Sequence, residues 1–494
     1  MPEKQGALQR LAEWFDSRLG LSYPMLRPVP QYALNPFYWL GALAVVAFVI
    51  QGVTGMIMML YYIPSPTQAY SSTLYIFQNV YNGRFLETIH LYTAYAMIML
   101  AFMHMMRGYF VSVHKRPREV MWIVGMLMGF VTLGFGFTGY LLPWTVVSKS
   151  ATDVGVGMVS ALPQPISSLL TFLIQGSGGD SAEVLRFFDL HVVVLPAVLL
   201  ILLVVKMYML ESHGVADPTE GPPSAKPKTS PIFPDVTMYL LELSLLFGAG
   251  MLLISAVFPI TLPPEYSVAA ASNYTPQPDW YFLWVYQVLK LSVFEANGPL
   301  GQYGLPTALA IVTVVFAALV LLPFIDRGRE RRLSRRPVYT TLGLVFVGEV
   351  LALSYWGLIT PGETIPFEQT ALVIGGIALL IVAGSLVTYK ALYRGAKGKL
   401  ATTSPNSIPH SELRSGLAFT VLVALGAFSI GLLVNGAVGV ALGDLSLGSL
   451  ATVAVSSGLL ALDLVASVFL IYRLDLRTGT IKRRVKALEL GWRE

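Results

Sequence analysis

The chain has 494 residues, of which 55% are hydrophobic and 12% are charged, whereas soluble globular domains are nearer one quarter charged. Its formal net charge is +5. It contains no cysteine, which excludes disulfides, thiolate-ligated iron–sulfur clusters, covalently attached c-type haem and cysteine nucleophiles. Any iron–sulfur chemistry must therefore come from a partner protein.

Hydropathy predicts an all-α integral membrane protein with about ten transmembrane helices. A spanning helix needs about 20 apolar residues, and the runs here are continuous rather than the alternating segments of a β-barrel. The predicted spans are Phe37–Tyr62, Leu86–Tyr109, Val120–Leu142, Phe187–Leu210, Met238–Phe258, Leu305–Phe324, Thr341–Leu358, Thr370–Tyr389, Leu417–Val438 and Leu447–Tyr472.

Lysine and arginine divide unevenly between the two sides of this arrangement. The side that holds both termini carries 28 of them, counting Arg107 at the end of the second span, and the opposite side carries 4, while Lys206 alone lies well inside a span. The positive-inside rule then predicts a multi-pass protein of a prokaryotic cell membrane with both termini in the cytoplasm. The net charge is thus a feature of topology and of contact with membrane lipid, and no nucleic-acid partner is expected.

Segments outside the spans complete the predicted organisation. Residues 1–36 form a cytoplasmic N-terminal segment that is charged and amphipathic, and it is expected to lie along the membrane surface. Two long external loops, 143–186 and 259–304, have the length of loops that cover a site. Residues 395–494 comprise a polar linker and two additional transmembrane helices.

Three of the six histidines lie at membrane positions. His90 and His104 are fourteen residues apart in the second span, and His191 begins the fourth. Fourteen residues are ~3.9 helical turns and ~21 Å, so His90 and His104 share one helix face at two depths. That separation suits two cofactors stacked across the bilayer, and imidazole is the usual protein ligand of haem iron.

Two glycine pairs repeat the fourteen-residue spacing. Gly41 and Gly55 lie in the first span, and Gly125 and Gly139 lie in the third. Glycine allows a flat macrocycle to approach the backbone closely, although small residues also serve helix packing in membranes. Two such pairs flanking the histidine helix favour haem binding.

Four short runs carry a family resemblance. They are HMMRG (His104 to Gly108), TGYLLPW (Thr138 to Trp144), RFFDLH (Arg186 to His191) and PDWYF (Pro278 to Phe282). Together they resemble cytochrome b of the quinol-oxidising cytochrome bc complexes, whose quinol-site signature is usually PEWY. The resemblance covers roughly residues 30–390, and the C-terminal extension indicates a prokaryotic form, with an archaeal one among the candidates.

The resemblance implies that the first four spans form a four-helix bundle holding two haems, of b type or a modified type. His90 and His191 would ligate the outer haem, and His104 the inner one. The spacing from His191 to Pro196 resembles that of chloroplast-type relatives and implies the fourth ligand at position 206, which is Lys206. The alternatives are that Lys206 reaches the cytoplasmic interface or pairs with a propionate, and that His213, expected beyond the helix, is the ligand.

Charged residues near the two haem levels have implied roles as well. Arg107 would pair with a haem propionate, the alternative being an ordinary cytoplasmic anchor. The arginine that the family has three residues before the first histidine is Glu87 here, and Arg84, one turn earlier, is a candidate to replace it.

The external loops carry the implied quinol site. Asp279 would accept a proton from quinol and Tyr281 would hydrogen-bond in the same pocket, which Pro278 and Trp280 shape. In the other loop, the resemblance implies that the segment with Pro143, Trp144 and Thr152 lines the pocket and docks the iron–sulfur partner.

A second, cytoplasmic quinone site is less clearly marked. Its candidates are Glu211, His213 and Asp235, with ordinary solvated loop positions as the alternative. His114 and His410 are interpreted as loop residues without a role. The acidic residues Glu242, Glu349 and Asp463 lie within spans and belong to no motif of the family.

The sequence thus predicts the cytochrome b subunit of a membrane respiratory complex, not a complete enzyme alone. Quinol would be oxidised near the outer face, one electron passing to a Rieske-type iron–sulfur protein and the other crossing through two haems. A dimeric complex with terminal oxidase or cytochrome subunits is expected. Residues 37–235 would be the dihaem domain and 236–394 the C-terminal domain. The rivals are a dihaem b-type anchor of a dehydrogenase or hydrogenase, and a transporter without haem.

Overall fold

The computed structural model describes residues 28–176, 180–216, 229–295, 297–328, 330–331 and 336–399, together with Trp14 and Arg18. The ninth and tenth predicted spans, and most of the predicted N-terminal segment and linker, lie outside the described residues. The chain divides into two compact units, Met1–Asp279 with Val293–Arg329, and Trp280–Ser292 with Glu330–Glu494. The domain boundary predicted after residue 235 stays a prediction, since this division follows a different course.

Eight helices in the described part of the chain are long and apolar enough to cross a membrane. They coincide with the first eight predicted spans, which confirms an all-helical, multi-pass membrane protein. Their bounds are Leu40–Met59, Gly83–Phe110, Glu119–Leu141, Ala182–His213, Thr237–Val257, Gly301–Val320, Pro337–Ile359 and Phe367–Lys390.

We number the α-helices in chain order. They are α1 (Leu40–Met59), α2 (Ala69–Asn79), α3 (Gly83–Phe110), α4 (Glu119–Leu141), α5 (Val146–Ser160), α6 (Ile166–Gln175), α7 (Asp180–Asp189), α8 (Leu195–His213), α9 (Thr237–Val257), α10 (Val268–Ala271), α11 (Leu283–Leu289), α12 (Gly304–Val320), α13 (Leu322–Ile325), α14 (Pro337–Ile359) and α15 (Phe367–Lys399). A π-helical turn, Leu190–Val194, joins α7 to α8, and the strands β1 (Val29–Pro30) and β2 (Thr229–Ser230) pair antiparallel.

Polar residues decide where several of these helices begin and end. Thr145 and Ser148 form a reciprocal capping box at the start of α5. Glu119 lies in the first turn of α4 and Arg107 in the last turn of α3, where each charge opposes the helix dipole. Both helix ends belong to the side of the chain that carries most of its lysine and arginine.

The first unit is built around an apolar cluster shared by α1, α3, α4 and α8. Ala47, Met97 and Leu199 are buried at its centre, and Met128 and Phe135 of α4 pack against them. The outward faces of the same helices stay apolar, because they face lipid rather than water. Val204 of α8, for example, is 68% exposed.

The second unit contains α11, α14 and α15, which pack through small residues. A Cβ at Gly357 of α14 would lie 2.8 Å from the carbonyl oxygen of Leu283, and one at Gly348 would lie 2.5 Å from Ile381. Glycine is therefore needed at both positions for the close approach of helices. The end of α11 is tied to the segment before α15 by the bonds from Ser292 N to Ile365 O and from Ile365 N to Lys290 O.

Candidate functional site

The structure brings His90 and His191 together within the first unit. Their ring centroids are 6.3 Å apart, with the ring planes at 63°. His90 lies on α3, and His191 lies in the π-helical turn between α7 and α8. Pro196 follows this turn, and because proline has no N–H it interrupts the regular hydrogen bonding of the helix there.

Two threonines hold the outer histidines. The Nδ1 atom of His90 is 2.8 Å from Thr54 Oγ1, and that of His191 is 3.1 Å from Thr138 Oγ1. Each threonine hydroxyl already donates its proton to its own helix, to Ile50 O and to Gly134 O respectively. Each must therefore accept from Nδ1–H, which leaves Nε2 of both rings unprotonated and able to bind a metal.

The predicted glycines face the predicted ligands one to one. A Cβ at Gly55 would lie 3.5 Å from His90 Cε1, and one at Gly139 would lie 2.5 Å from His191 Cε1. At the inner level a Cβ at Gly41 would lie 3.1 Å from His104 Cε1. The fourth glycine, Gly125, faces Lys206, whose Nζ would be 2.7 Å from its Cβ.

This arrangement fits two haems at two depths. Both levels combine nitrogen donors with glycine backbone that allows close approach, and the outer pair of imidazoles has the protonation that iron coordination needs. At the inner level His104 Nδ1 is buried and has no hydrogen-bond partner among the described residues. The two levels are therefore built differently.

Arginines lie near each level. The guanidinium carbon of Arg107, in the last turn of α3, is 3.7 Å from the ring centroid of Tyr38. Arg84, the candidate replacement for the arginine of the outer haem, donates from Nε to the carbonyl oxygen of Ile260 at 2.8 Å. Arg84 therefore anchors the second external loop to the start of α3.

Asp279 is held against α3, the helix that carries His90 and His104. The Tyr95 hydroxyl lies 2.9 Å from Oδ1 and 3.0 Å from Oδ2 of Asp279, and Tyr95 follows His90 on α3 by five residues. Pro278 is partly buried beside it. Trp280 and the buried Tyr281 begin the second unit, in the short 3₁₀ turn Trp280–Phe282.

The two external loops pair with each other near Trp144. Val146 N donates to Pro264 O at 2.9 Å, and Tyr266 N donates to Trp144 O at 3.1 Å. Trp144 is buried with φ at +51°, a left-handed conformation that is rare for a bulky residue and marks a constrained turn. Pro143, which precedes it, is partly buried in the same turn.

Further side chains fix the first loop. Thr152 is buried in α5 and donates to Ser148 O at 2.8 Å. Lys149 pairs with Asp153 and lies 3.6 Å from Glu183. The Tyr62 hydroxyl donates to Leu142 O at 2.7 Å, and burial together with the nearby Glu87 carboxylate raises the pKa of Tyr62 well above its ordinary value. Tyr62 is thus a neutral hydrogen-bond donor.

In the second unit Lys290 is a partly buried cation at the end of α11. Its Nζ donates to the carbonyl oxygen of Thr360 and lies 3.2 Å from Thr360 Oγ1. Burial lowers the pKa of Lys290 to about 8, although the Glu363 carboxylate acts in the opposite direction. Lys290 therefore joins the segment after PDWYF to the end of α14.

The cytoplasmic quinone-site candidates are less clearly gathered. Glu211 and His213 end α8, and His213 Nδ1 lies 3.0 Å from Met209 O. The expectation that His213 lies beyond the helix is wrong, because α8 continues through it. Asp235 is exposed in the π-helical turn Ile232–Val236 that precedes α9.

Sequence reasoning missed several residues that the structure brings to these sites. Thr54 and Tyr95 were not singled out, because neither stands in a motif that distinguishes it from other polar residues of the spans. His114 does lie in a turn, as expected, but it is fully buried. Its Nε2 is 3.0 Å from Asp326 Oδ2, and Lys115 Nζ is 3.1 Å from Asp326 Oδ1.

This chain is similar to known protein families and to known proteins over much of its length. Residues 95–265 match the family model "Cytochrome b(N-terminal)/b6/petB", and residues 270–381 match "Cytochrome b(C-terminal)/b6/petD". The cytochrome bc complex cytochrome b subunit of Chlorobaculum thiosulfatiphilum is 31% identical over 361 residues, which are 72% of this chain and 82% of that protein. The chain belongs to the cytochrome b family.

Two further similarities extend this assignment. Cytochrome b of Sulfolobus acidocaldarius is 29% identical over 482 residues, with 87% of this chain and 83% of that protein covered. That share is too large to lie within residues 1–394, so part of the C-terminal extension has a counterpart in this archaeal cytochrome b. A solved structure titled "Hyperthermophilic respiratory Complex III" has the same fold, with a TM-score of 0.57, 24% identity, and 77% of this chain and 95% of that chain covered.

Proposed function

We propose that this cytochrome b binds two haems and oxidises quinol near the outer face of a prokaryotic membrane, as one subunit of a bc-type respiratory complex. The outer haem is held by His90 and His191, and the inner haem by His104. When bound, the two haems supply a path for electrons between the two faces of the membrane. Matches to both halves of cytochrome b favour this function over a dihaem anchor of another enzyme or a haem-free transporter.

The observation that carries the quinol site is the contact between Asp279 and Tyr95. Quinol oxidation releases protons, so it requires a base beside the quinol hydroxyl. Asp279 is that base, and Tyr95 orients its carboxylate by donating to it. Since Tyr95 and His90 share α3, the proton acceptor and the outer haem ligand are held by one helix.

Other residues shape the pocket around this carboxylate. The backbone pairing of the two external loops fixes the turn that contains Pro143 and Trp144. Tyr281 and Trp280 are proposed to contact the quinol ring, and Thr152 and Lys149 to keep α5 in place beneath the partner protein. Arg107 is proposed to pair with a propionate of the inner haem, and Glu211, His213 and Asp235 are candidates for the cytoplasmic quinone site.

The partner and the orientation follow from composition and charge. The chain has no cysteine, so the iron–sulfur acceptor of the first electron is a separate, Rieske-type protein. The excess of lysine and arginine on the side of both termini supports an orientation with the termini in the cytoplasm and Asp279 outside. We further propose a dimeric complex with terminal oxidase or cytochrome subunits.

The test uses the complex purified from membranes. Asp279→Asn removes the base and keeps the shape, so quinol oxidation should fall by about a hundredfold or more while both haems are retained. His104→Ala should remove one haem and leave the other. Unchanged turnover of Asp279→Asn across pH, or an unchanged haem count in the His90, His104 and His191 alanine variants, would contradict the proposal.

A further inference from the structure

We propose that Lys206 supplies its amine as the second axial ligand of the inner haem, so that the two haems of this chain have different ligand pairs. The inference rests on the proposed binding of haem at His104. It assigns a nitrogen donor of a different chemical class, a primary amine, to a position where the outer haem has an imidazole.

Lys206 and His104 lie at the same depth in the membrane. Lys206 follows His191 by fifteen residues and His104 follows His90 by fourteen, on the fourth and second spans, which cross the membrane in the same direction. At 1.5 Å per residue these separations are ~22 Å and ~21 Å, so Lys206 and His104 lie at one level below the outer pair.

The Lys206 side chain is directed toward α4. Three of the four spaced glycines face a histidine ring, and the fourth, Gly125, faces Lys206 Nζ. A Cβ at Gly125 would be only 2.7 Å from that nitrogen, so Lys206 points across to α4 inside the unit. A lysine that reached for the cytoplasmic interface would extend toward the end of α8 at His213 instead.

The charge of the Lys206 amine also favours coordination. Among the residues that the structure describes, Lys206 Nζ has no hydrogen bond or ion pair. An unpaired ammonium at this depth is costly. Only the neutral amine can coordinate iron, and coordination holds it in that form.

The inner level also lacks the hydrogen bonds that fix the outer imidazoles. His104 Nδ1 has no partner among the described residues, whereas His90 and His191 each bond a threonine. His213, the rival ligand, is ~10 Å further along α8 than Lys206 and is fixed by its contact with Met209 O. Among the described residues, the Lys206 amine is the only side-chain nitrogen within 4 Å of a Cβ at Gly125.

Three substitutions at one position separate coordination from charge. Lys206→Arg keeps a cation that can pair with a propionate but does not ligate iron, Lys206→Leu removes both functions, and Lys206→His restores an imidazole. In the complex purified from membranes, haem per chain is measured chemically. The spin state and ligand field are measured by EPR and by the near-infrared charge-transfer band of the ferric haem.

The wild type should hold two low-spin haems, only one of which has bis-imidazole spectra. Lys206→Arg and Lys206→Leu should each lose the other low-spin signal, with or without loss of that haem. Lys206→His should keep both haems and give two bis-imidazole spectra. The unchanged signal of the outer haem reports that each variant has folded.

Two results would overturn the assignment of Lys206. One is a Lys206→Arg variant with two low-spin haems and unchanged spectra, which would show that Lys206 acts only as a cation. The other needs no variant: two bis-imidazole haems in the wild type exclude an amine ligand. A wild-type chain without haem would instead refute the proposed function itself, so the two failures are distinguishable.

Discussion

Tyr95 and Asp279 are separated by 184 residues in the sequence, yet the Tyr95 hydroxyl lies within 3.0 Å of both carboxylate oxygens of Asp279. The contact ties Asp279 to α3, the helix that carries both His90 and His104. The proposed base for quinol is thus held by the helix that carries two of the proposed haem ligands. Rigid positioning of this kind is what proton and electron transfer at a shared substrate require.

The Tyr95→Phe substitution should slow quinol oxidation by roughly tenfold to a hundredfold. The variant removes one hydrogen bond to a charged group, which contributes about 1.5–3 kcal/mol, and tenfold corresponds to about 1.4 kcal/mol. Steady-state quinol oxidation by the purified complex measures the effect, and haem content should not change. Tyr92→Phe is the matched control, because the Tyr92 hydroxyl donates to Phe258 O and not to Asp279. Equal rates for the two variants would contradict the positioning role of Tyr95.

The Gly139→Ala substitution should lower the occupancy of the outer haem. An alanine Cβ there would lie 2.5 Å from His191 Cε1, a distance that real Cβ contacts do not show, so the imidazole must move. The ratio of haem to protein is expected to fall from two toward one. Gly129→Ala on the same helix is the control, since its Cβ would have no neighbour within 4 Å. If Gly139→Ala retained both haems with unaltered spectra, the glycine would serve helix packing only.

The Thr54→Val substitution should raise the midpoint potential of the outer haem. The bond from His90 Nδ1–H to the threonine makes the imidazole more basic and favours ferric iron, so its loss favours ferrous iron. The expected rise is on the order of 60 mV, a tenfold change for a one-electron couple. Thr132→Val is the control, because Thr132 makes the same bond to its own helix at Met128 O and has no histidine partner among the described residues. A redox titration in which Thr54→Val and Thr132→Val coincide would remove the role assigned to Thr54.

The sequence by itself determined the membrane architecture and the protein family. Eight spans could be read from hydropathy because each must satisfy its backbone hydrogen bonds within the helix while presenting an apolar surface to lipid, which is a local property. The fourteen-residue spacing of His90 with His104, and of the glycine pairs, is likewise a consequence of helix periodicity within a single span. The motifs then indicated cytochrome b.

Only the tertiary structure decided which of these residues meet. Lys206 could have extended along α8 toward the interface or across to Gly125, and the choice depends on the packing of α8 against α4. Thr54 and Tyr95 look like any polar residue of an apolar helix until α3 supplies His90 to one and the second external loop supplies Asp279 to the other. His114 resembled a loop residue because Asp326, its partner, lies 212 residues away. Contacts between helices far apart in sequence depend on how each helix is rotated about its axis and on how deep it lies in the membrane. Hydropathy specifies neither.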